Sequence, residues 1–116
     1  MEVGSFAVTS RSVTVVNQLG LHARAAAKFV HIATRFDAHI RVGRAASAEA
    51  SAPRDARVMD GKSIMGILLL AAARGTTLTI TADGPDEDAA VEALAHLVET
   101  GFGEASSQNA RESWNG

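Results

Sequence analysis

The sequence has no cysteine. That excludes a disulfide framework, a thiolate nucleophile and any cysteine-held zinc or iron–sulfur centre. A basic surplus is also missing: 11 Lys and Arg face 13 Asp and Glu, for a formal net charge of −2. A nucleic-acid protein relying on a general basic surface is therefore not expected. The longest apolar run, Ile64 to Ala73, falls short of the roughly 20 residues that cross a bilayer, so no membrane insertion is expected. No basic segment followed by an apolar stretch opens the chain, and a cytoplasmic location is expected. Aromatic residues are only 4%, so Ala, Val, Leu and Ile must build the core.

What remains is 116 residues, 47% apolar and 21% charged, the composition of one globular domain. Between Arg11 and Asn17, Val13 and Val15 alternate with Ser12 and Thr14, which predicts a half-buried strand. Residues 1–10 show no sustained period and are expected to be flexible. Gly20 suits a turn. Ala26, Phe29, Val30, Ala33 and Phe36 then recur at helical spacing, so Ala23 to Phe36 reads as a helix with His22 as its N-cap. His39 to Val42 reads as a short strand. Residues 43–57 lack a large apolar anchor and are expected to be a long loop. Val58 and Met59 restart a strand, and Ser63 is a suitable N-cap for a helix from Ile64 to Arg74, with Gly75 just past its end.

Thr77 to Ala82 alternates clearly. Asp83-Gly84-Pro85 turns the chain, with Pro85 at or near the first helical position. Asp86, Glu87 and Asp88 suit the following helix N-terminus, and Gly101 can end that helix. The polar segment 105–116 is expected to be a flexible tail. The resulting order, βαββαβα, predicts an α+β fold with a four-stranded sheet covered on one face by three helices.

His22 is the residue with chemical potential. At a helix start, the first backbone N–H groups lack partners and meet the positive end of the helix dipole, which makes an anion site. A neutral imidazole there could attack a phosphoryl group and hold it, with Arg24 adding a charged planar fork for phosphate oxygens. Spacing alone leaves an ordinary cap and a solvated arginine as the alternative. His31, His39 and His96 read as surface residues, and no metal-ligand spacing is apparent. Ser63 is either a simple cap or a phosphorylation site beside a partly exposed patch of Ile64, Met65 and Leu68.

Four blocks bring a family into view. They are Leu19-Gly20-Leu21-His22-Ala23-Arg24-Ala25-Ala26, Gly61-Lys62-Ser63-Ile64-Met65-Gly66, Gly84-Pro85-Asp86-Glu87, and Val98-Glu99-Thr100-Gly101-Phe102-Gly103-Glu104. In this order they closely resemble HPr, the histidine-containing phosphocarrier family of the bacterial phosphoenolpyruvate phosphotransferase system. The resemblance spans about residues 11–104. It implies the family's open-faced sandwich of four antiparallel strands and three helices. It also implies phosphorylation of His22 on Nδ1, with Arg24 beside it and the backbone of Ala23, Arg24 and Ala25 cradling the phosphate.

Further, the resemblance implies enzyme I as donor and an enzyme IIA, of sugar or nitrogen type, as acceptor. Ser63 matches the serine modified by a dedicated HPr kinase in some bacteria. Ile64, Met65 and Leu68 would dock partners, and neither cofactor, metal nor oligomer is implied. Ala25 stands where most sugar-system members have proline, and His-Ala-Arg-Ala-Ala-Ala-Lys looks more like the nitrogen-type (NPr) branch. The 43–57 loop is longer than usual, and the tail continues past Glu104, where family members often end. A docking regulator switched at Ser63, with little phosphate flux, is the alternative reading.

Overall fold

The computed structural model describes residues 8–45 and 58–104. Most of the expected flexible N-terminus, most of the long loop and the C-terminal tail lie outside the described residues. The strands are β1 (Thr9–Thr14), β2 (His39–Arg44), β3 (Val58–Asp60) and β4 (Thr77–Asp83). They form one antiparallel sheet in the order β1-β4-β2-β3. The helices are α1 (Ala23–Ala33), α2 (Ile64–Leu69) and α3 (Glu87–Glu99). The open-faced sandwich expected from the sequence is the fold.

Alternation along the strands sends Val13, Ile40, Val42, Leu78, Ile80 and Ala82 into one buried layer with Phe29 and Leu94 of the helices. The opposite face is polar. There Ser10 and Thr81 lie opposite each other, their hydroxyls 3.1 Å apart. β1 begins two residues before the expected Arg11, because Thr9 and Ser10 already pair with Ala82 and Thr81. It ends at Thr14, before the expected Asn17, although the Val15 N–H still donates to the Thr76 carbonyl at 2.9 Å. β2 runs past Val42 because Gly43 and Arg44 pair with Thr79 and Leu78, so the loop that follows starts later than residue 43.

α1 stops at Ala33, short of the expected Phe36, where Thr34 turns its hydroxyl back to the His31 carbonyl at 2.8 Å. α2 is far shorter than the Ile64–Arg74 segment expected. The apolar run there exceeds what one helical face can bury. Breaking the helix at Leu70 and reversing the chain at Ala71, whose φ is +49°, lets Leu70 and Ala72 both enter the core. Gly75 therefore makes the turn into β4 and does not end a helix. Gly66 costs α2 about 1 kcal/mol relative to alanine. A Cβ there would crowd Met59 Cβ at 3.3 Å, so the glycine lets α2 lie close on β3.

Pro85 precedes the helix, and Asp86 is its N-cap residue, yet the Asp86 side chain does not cap it. The two carboxylate oxygens instead accept the Asp37 and Ala38 N–H groups, both at 2.8 Å, and so tie the α1–β2 connection to α3. Glu87 accepts from the Gly84 N–H at 3.0 Å. α3 ends at Glu99, as Gly101 predicts, and a single 3-10 turn, Gly101–Gly103, follows. Phe102 within it is buried at φ +58°, and this anchor returns Glu104 to the start of α1. Among the described residues no helix is long and apolar enough to cross a membrane.

Candidate functional site

The site grows from the turn between β1 and α1. Gly20 takes φ +68° and donates its N–H to the Asn17 carbonyl at 3.1 Å. Leu21 is buried, and its N–H donates to the Ala72 carbonyl at 2.9 Å. This fixes the chain entering α1. His22 is extended (φ −81°, ψ 179°) and is the N-cap, as the sequence predicts. Its carbonyl accepts the first helical bond, from the Ala26 N–H, at 2.8 Å.

The imidazole is held at both nitrogens. Nδ1 accepts the Arg24 N–H at 3.2 Å. Nε2 lies 2.7 Å from Glu104 Oε2. Burial pushes the Glu104 carboxyl up, but the hydrogen bonds from His22 and Asn17, with the nearby charge of Lys28, outweigh it and hold the group below its ordinary value. An ionised carboxylate only accepts, so Nε2 carries the ring proton. The Arg24 N–H requires the same answer from the other side, because it needs a lone pair on Nδ1. Both contacts select one tautomer, with Nδ1 unprotonated and facing the helix N-terminus.

Around Nδ1 the donors are under-used. The Ala23 and Ala25 N–H groups have no hydrogen-bond partner among the described residues, and Arg24 offers its N–H to the ring alone. The Ala23 and Arg24 donors thus stand at the exposed start of α1 with the helix dipole. Ala25, expected to share in the phosphate cradle, is fully buried, so its N–H does not open onto the site. The Arg24 side chain is exposed, and its guanidinium makes no hydrogen bond or ion pair among the described residues. Lys28, one turn on, donates to the Phe102 carbonyl at 2.8 Å and so ties α1 to the turn that carries Glu104.

Behind Glu104 stands Asn17, 1% exposed, the one buried polar side chain among the described residues. Its Nδ2 donates to the Gly20 carbonyl at 2.9 Å and to Glu104 Oε1 at 3.1 Å. Both partners are acceptors, which fixes the amide orientation and leaves Oδ1 buried without a partner. Such an orphan costs about 1–3 kcal/mol. Sequence reasoning singles out neither Asn17 nor Glu104 as a site residue. A signal for Asn17 was present: it is in phase with Val13 and Val15, so it is a polar residue at an inward position. Glu104 carries no such signal, because only the 3-10 turn brings it back.

Ser63 is the N-cap of α2, its hydroxyl accepting the Gly66 N–H at 3.0 Å. Beside it Ile64 is 44% and Met65 65% exposed. Leu68 packs against the core and stays partly exposed. Leu19 and Leu69 are also exposed large side chains. His31, His39 and His96 are exposed, and no group of three His, Asp or Glu residues that could hold a metal occurs among the described residues.

Comparison with known proteins follows the same geometry. The family model for the phosphotransferase-system HPr component phosphorylation site matches residues 9–100. The phosphocarrier protein HPr of Pseudomonas aeruginosa is 45% identical over 92 residues, covering 79% of this chain and 92% of that protein. The phosphocarrier protein NPr of Shewanella violacea is 40% identical over 96 residues, covering 83% and 94%. Among solved structures, HPr from Thermoanaerobacter tengcongensis superposes with a TM-score of 0.69 at 36% identity, covering 82% of this chain and 96% of that one.

Proposed function

The chain belongs to the HPr family of phosphocarriers of the phosphotransferase system, and from that premise we propose that His22 is its phosphorylated residue. The observation that carries this reading is the ring's double restraint: Nε2 against Glu104 Oε2 at 2.7 Å, Nδ1 at the unsatisfied start of α1. In this reading the Nδ1 lone pair attacks the phosphorus carried by phospho-enzyme I. The new N–P bond forms as the bond to the donor breaks. The Nε2 proton stays in place, and the positive charge that develops on the ring faces the Glu104 carboxylate.

The phosphoryl oxygens then take the N–H groups of Ala23 and Arg24, with the exposed Arg24 guanidinium as an outer donor. Transfer of this kind needs positioning and charge stabilisation, and the chain has parts for both. The acceptor is an enzyme IIA. Ala25 in the motif favours the nitrogen-type branch, and one NPr stands among relatives that are mostly named HPr. The carrier acts as a cytoplasmic monomer and docks its partners through Ile64, Met65 and Leu68. The position of Ser63, at a helix start beside exposed Ile64 and Met65, favours a second role as a regulatory phosphorylation site for an HPr kinase.

The test is intact mass after incubation with enzyme I and phosphoenolpyruvate. Wild type should gain one phosphoryl group that acid removes, and His22→Ala should gain none while keeping its fold. Labelling of the alanine variant, or none of wild type when enzyme I charges another carrier, overturns the assignment.

A further inference from the structure

We propose that Asn17 is a positioning residue for phosphotransfer, one that turns Glu104 so that His22 presents Nδ1 as its nucleophile. The proposal rests on His22 being the phosphorylated residue. Asn17 lies at the centre of the carboxylate's support, not on the reacting atom. Its Nδ2 meets two acceptors, the Gly20 carbonyl at 2.9 Å and Glu104 Oε1 at 3.1 Å. With Oε1 taken, Oε2 is the oxygen left for Nε2, and it lies 2.7 Å away. One amide thereby joins the turn before His22 to the residue behind its ring. The Asn17 side chain is 1% exposed and leaves Oδ1 unpartnered, an arrangement that an apolar side chain in this inward position would avoid.

The chemistry makes a distinctive claim about Glu104→Gln. A carboxylate accepts from both neighbours, but a carboxamide has one accepting oxygen. While Asn17 is present, its donor draws that oxygen, and the N–H₂ of the introduced carboxamide is aimed at Nε2. The ring is then pressed toward the Nδ1–H tautomer, which in turn opposes the Arg24 N–H. Replacing Asn17 by Ala as well frees the carboxamide to turn its oxygen to His22 and restores the productive tautomer.

The experiment is a double-mutant cycle on the full chain: wild type, Asn17→Ala, Glu104→Gln and the pair. Fold is monitored by thermal unfolding. Two readouts are taken: ring ¹⁵N shifts of His22 for the tautomer, and kcat and KM for phosphorylation by enzyme I. We expect the Nε2–H form in wild type, a mixture in Asn17→Ala, and the largest loss of that form in Glu104→Gln. The pair should recover it, with kcat rising about 3- to 10-fold over Glu104→Gln and KM unchanged. A purely structural asparagine would instead make the pair worse than either single change. That result, or a folded Asn17→Ala with wild-type tautomer and kcat, overturns the proposal. If Asn17→Ala and the pair do not fold, Asn17→Ser replaces Asn17→Ala in the cycle and is judged by the same outcomes. Failure of the phosphocarrier reading would show separately, as wild type that takes no phosphate while the ring shifts still report on Asn17.

Discussion

The carbonyl oxygen of Ala72 lies 2.5 Å from where a Cβ on Gly20 would sit. That one close approach joins the turn before His22 to the chain leaving α2. The same carbonyl accepts the Leu21 N–H at 2.9 Å, so the entry to α1 is braced from outside its own sequence neighbourhood.

Gly20→Ala should therefore fail twice over. Its φ of +68° costs a side-chain-bearing residue about 1–2 kcal/mol. The clash is with backbone, which cannot swing away, and the total loss should reach about 3 kcal/mol. The expected result is a melting temperature lower by about 10 °C or more, with slower phosphorylation because His22 shifts with the turn. A variant that melts within a degree of wild type would mean that the turn yields at no cost.

Ala71 gives the opposite case. It holds φ +49° just past the end of α2, is exposed, and has its N–H bonded to the Leu68 carbonyl at 3.0 Å. This is the left-handed helix stop that glycine usually fills. Ala71→Gly removes backbone strain and gives back only part of it as freedom in the unfolded chain. Stability in urea should rise by about 0.5–1 kcal/mol. A loss on this substitution would contradict the strain.

Much of this architecture was legible in the sequence, and the misses share a cause. Thr77 to Ala82 alternates cleanly because its strand is buried on one face and polar on the other. His22 is readable as an N-cap because the signal is local. The end of α2 was not readable, since periodicity cannot say that Leu70 and Ala72 gain more by leaving the helix than by extending it. Asp86 looked like helix-start charge, yet its carboxylate serves the Asp37–Ala38 backbone. Glu104 was hidden by its distance in sequence: only the fold brings it within 2.7 Å of a histidine 82 positions away.

Asp86 also sets an acid dependence. The Asp37 N–H bond, working against burial and joined by the Ala38 N–H, its own backbone N–H and the Lys62 charge, holds this carboxyl below its ordinary value in the folded state. A depressed folded value means that ionisation favours the fold. The contribution is complete above the unfolded value of about 3.9 and is lost as pH falls through the folded one. Asp86→Asn should thus melt lower than wild type at pH 7, and the two curves should converge on acidification below about pH 4. Melting temperatures taken from pH 7 to pH 2 check this. A gap of constant size across the range would mean that the lost stability has nothing to do with the charge.

Ser63→Asp tests the regulatory reading without a kinase. Aspartate caps a helix about as well as serine, so α2 should persist and stability should stay within about 0.5 kcal/mol. What changes is the surface, where a negative charge now borders Ile64 and Met65, 44% and 65% exposed. Docking of enzyme I through that patch must then desolvate a charge or accommodate it. The dissociation constant should rise several-fold at low salt. The effect should shrink as ionic strength climbs and the screening length falls to about 10 Å at 0.1 M. A mere loss of apolar fit would not respond to salt, so the salt dependence separates the charge from any distortion of α2. An unchanged constant at low salt would remove Ser63 and its neighbours from the docking surface. The His22 chemistry would stand, because it depends on α1 and Glu104 and on no residue of α2.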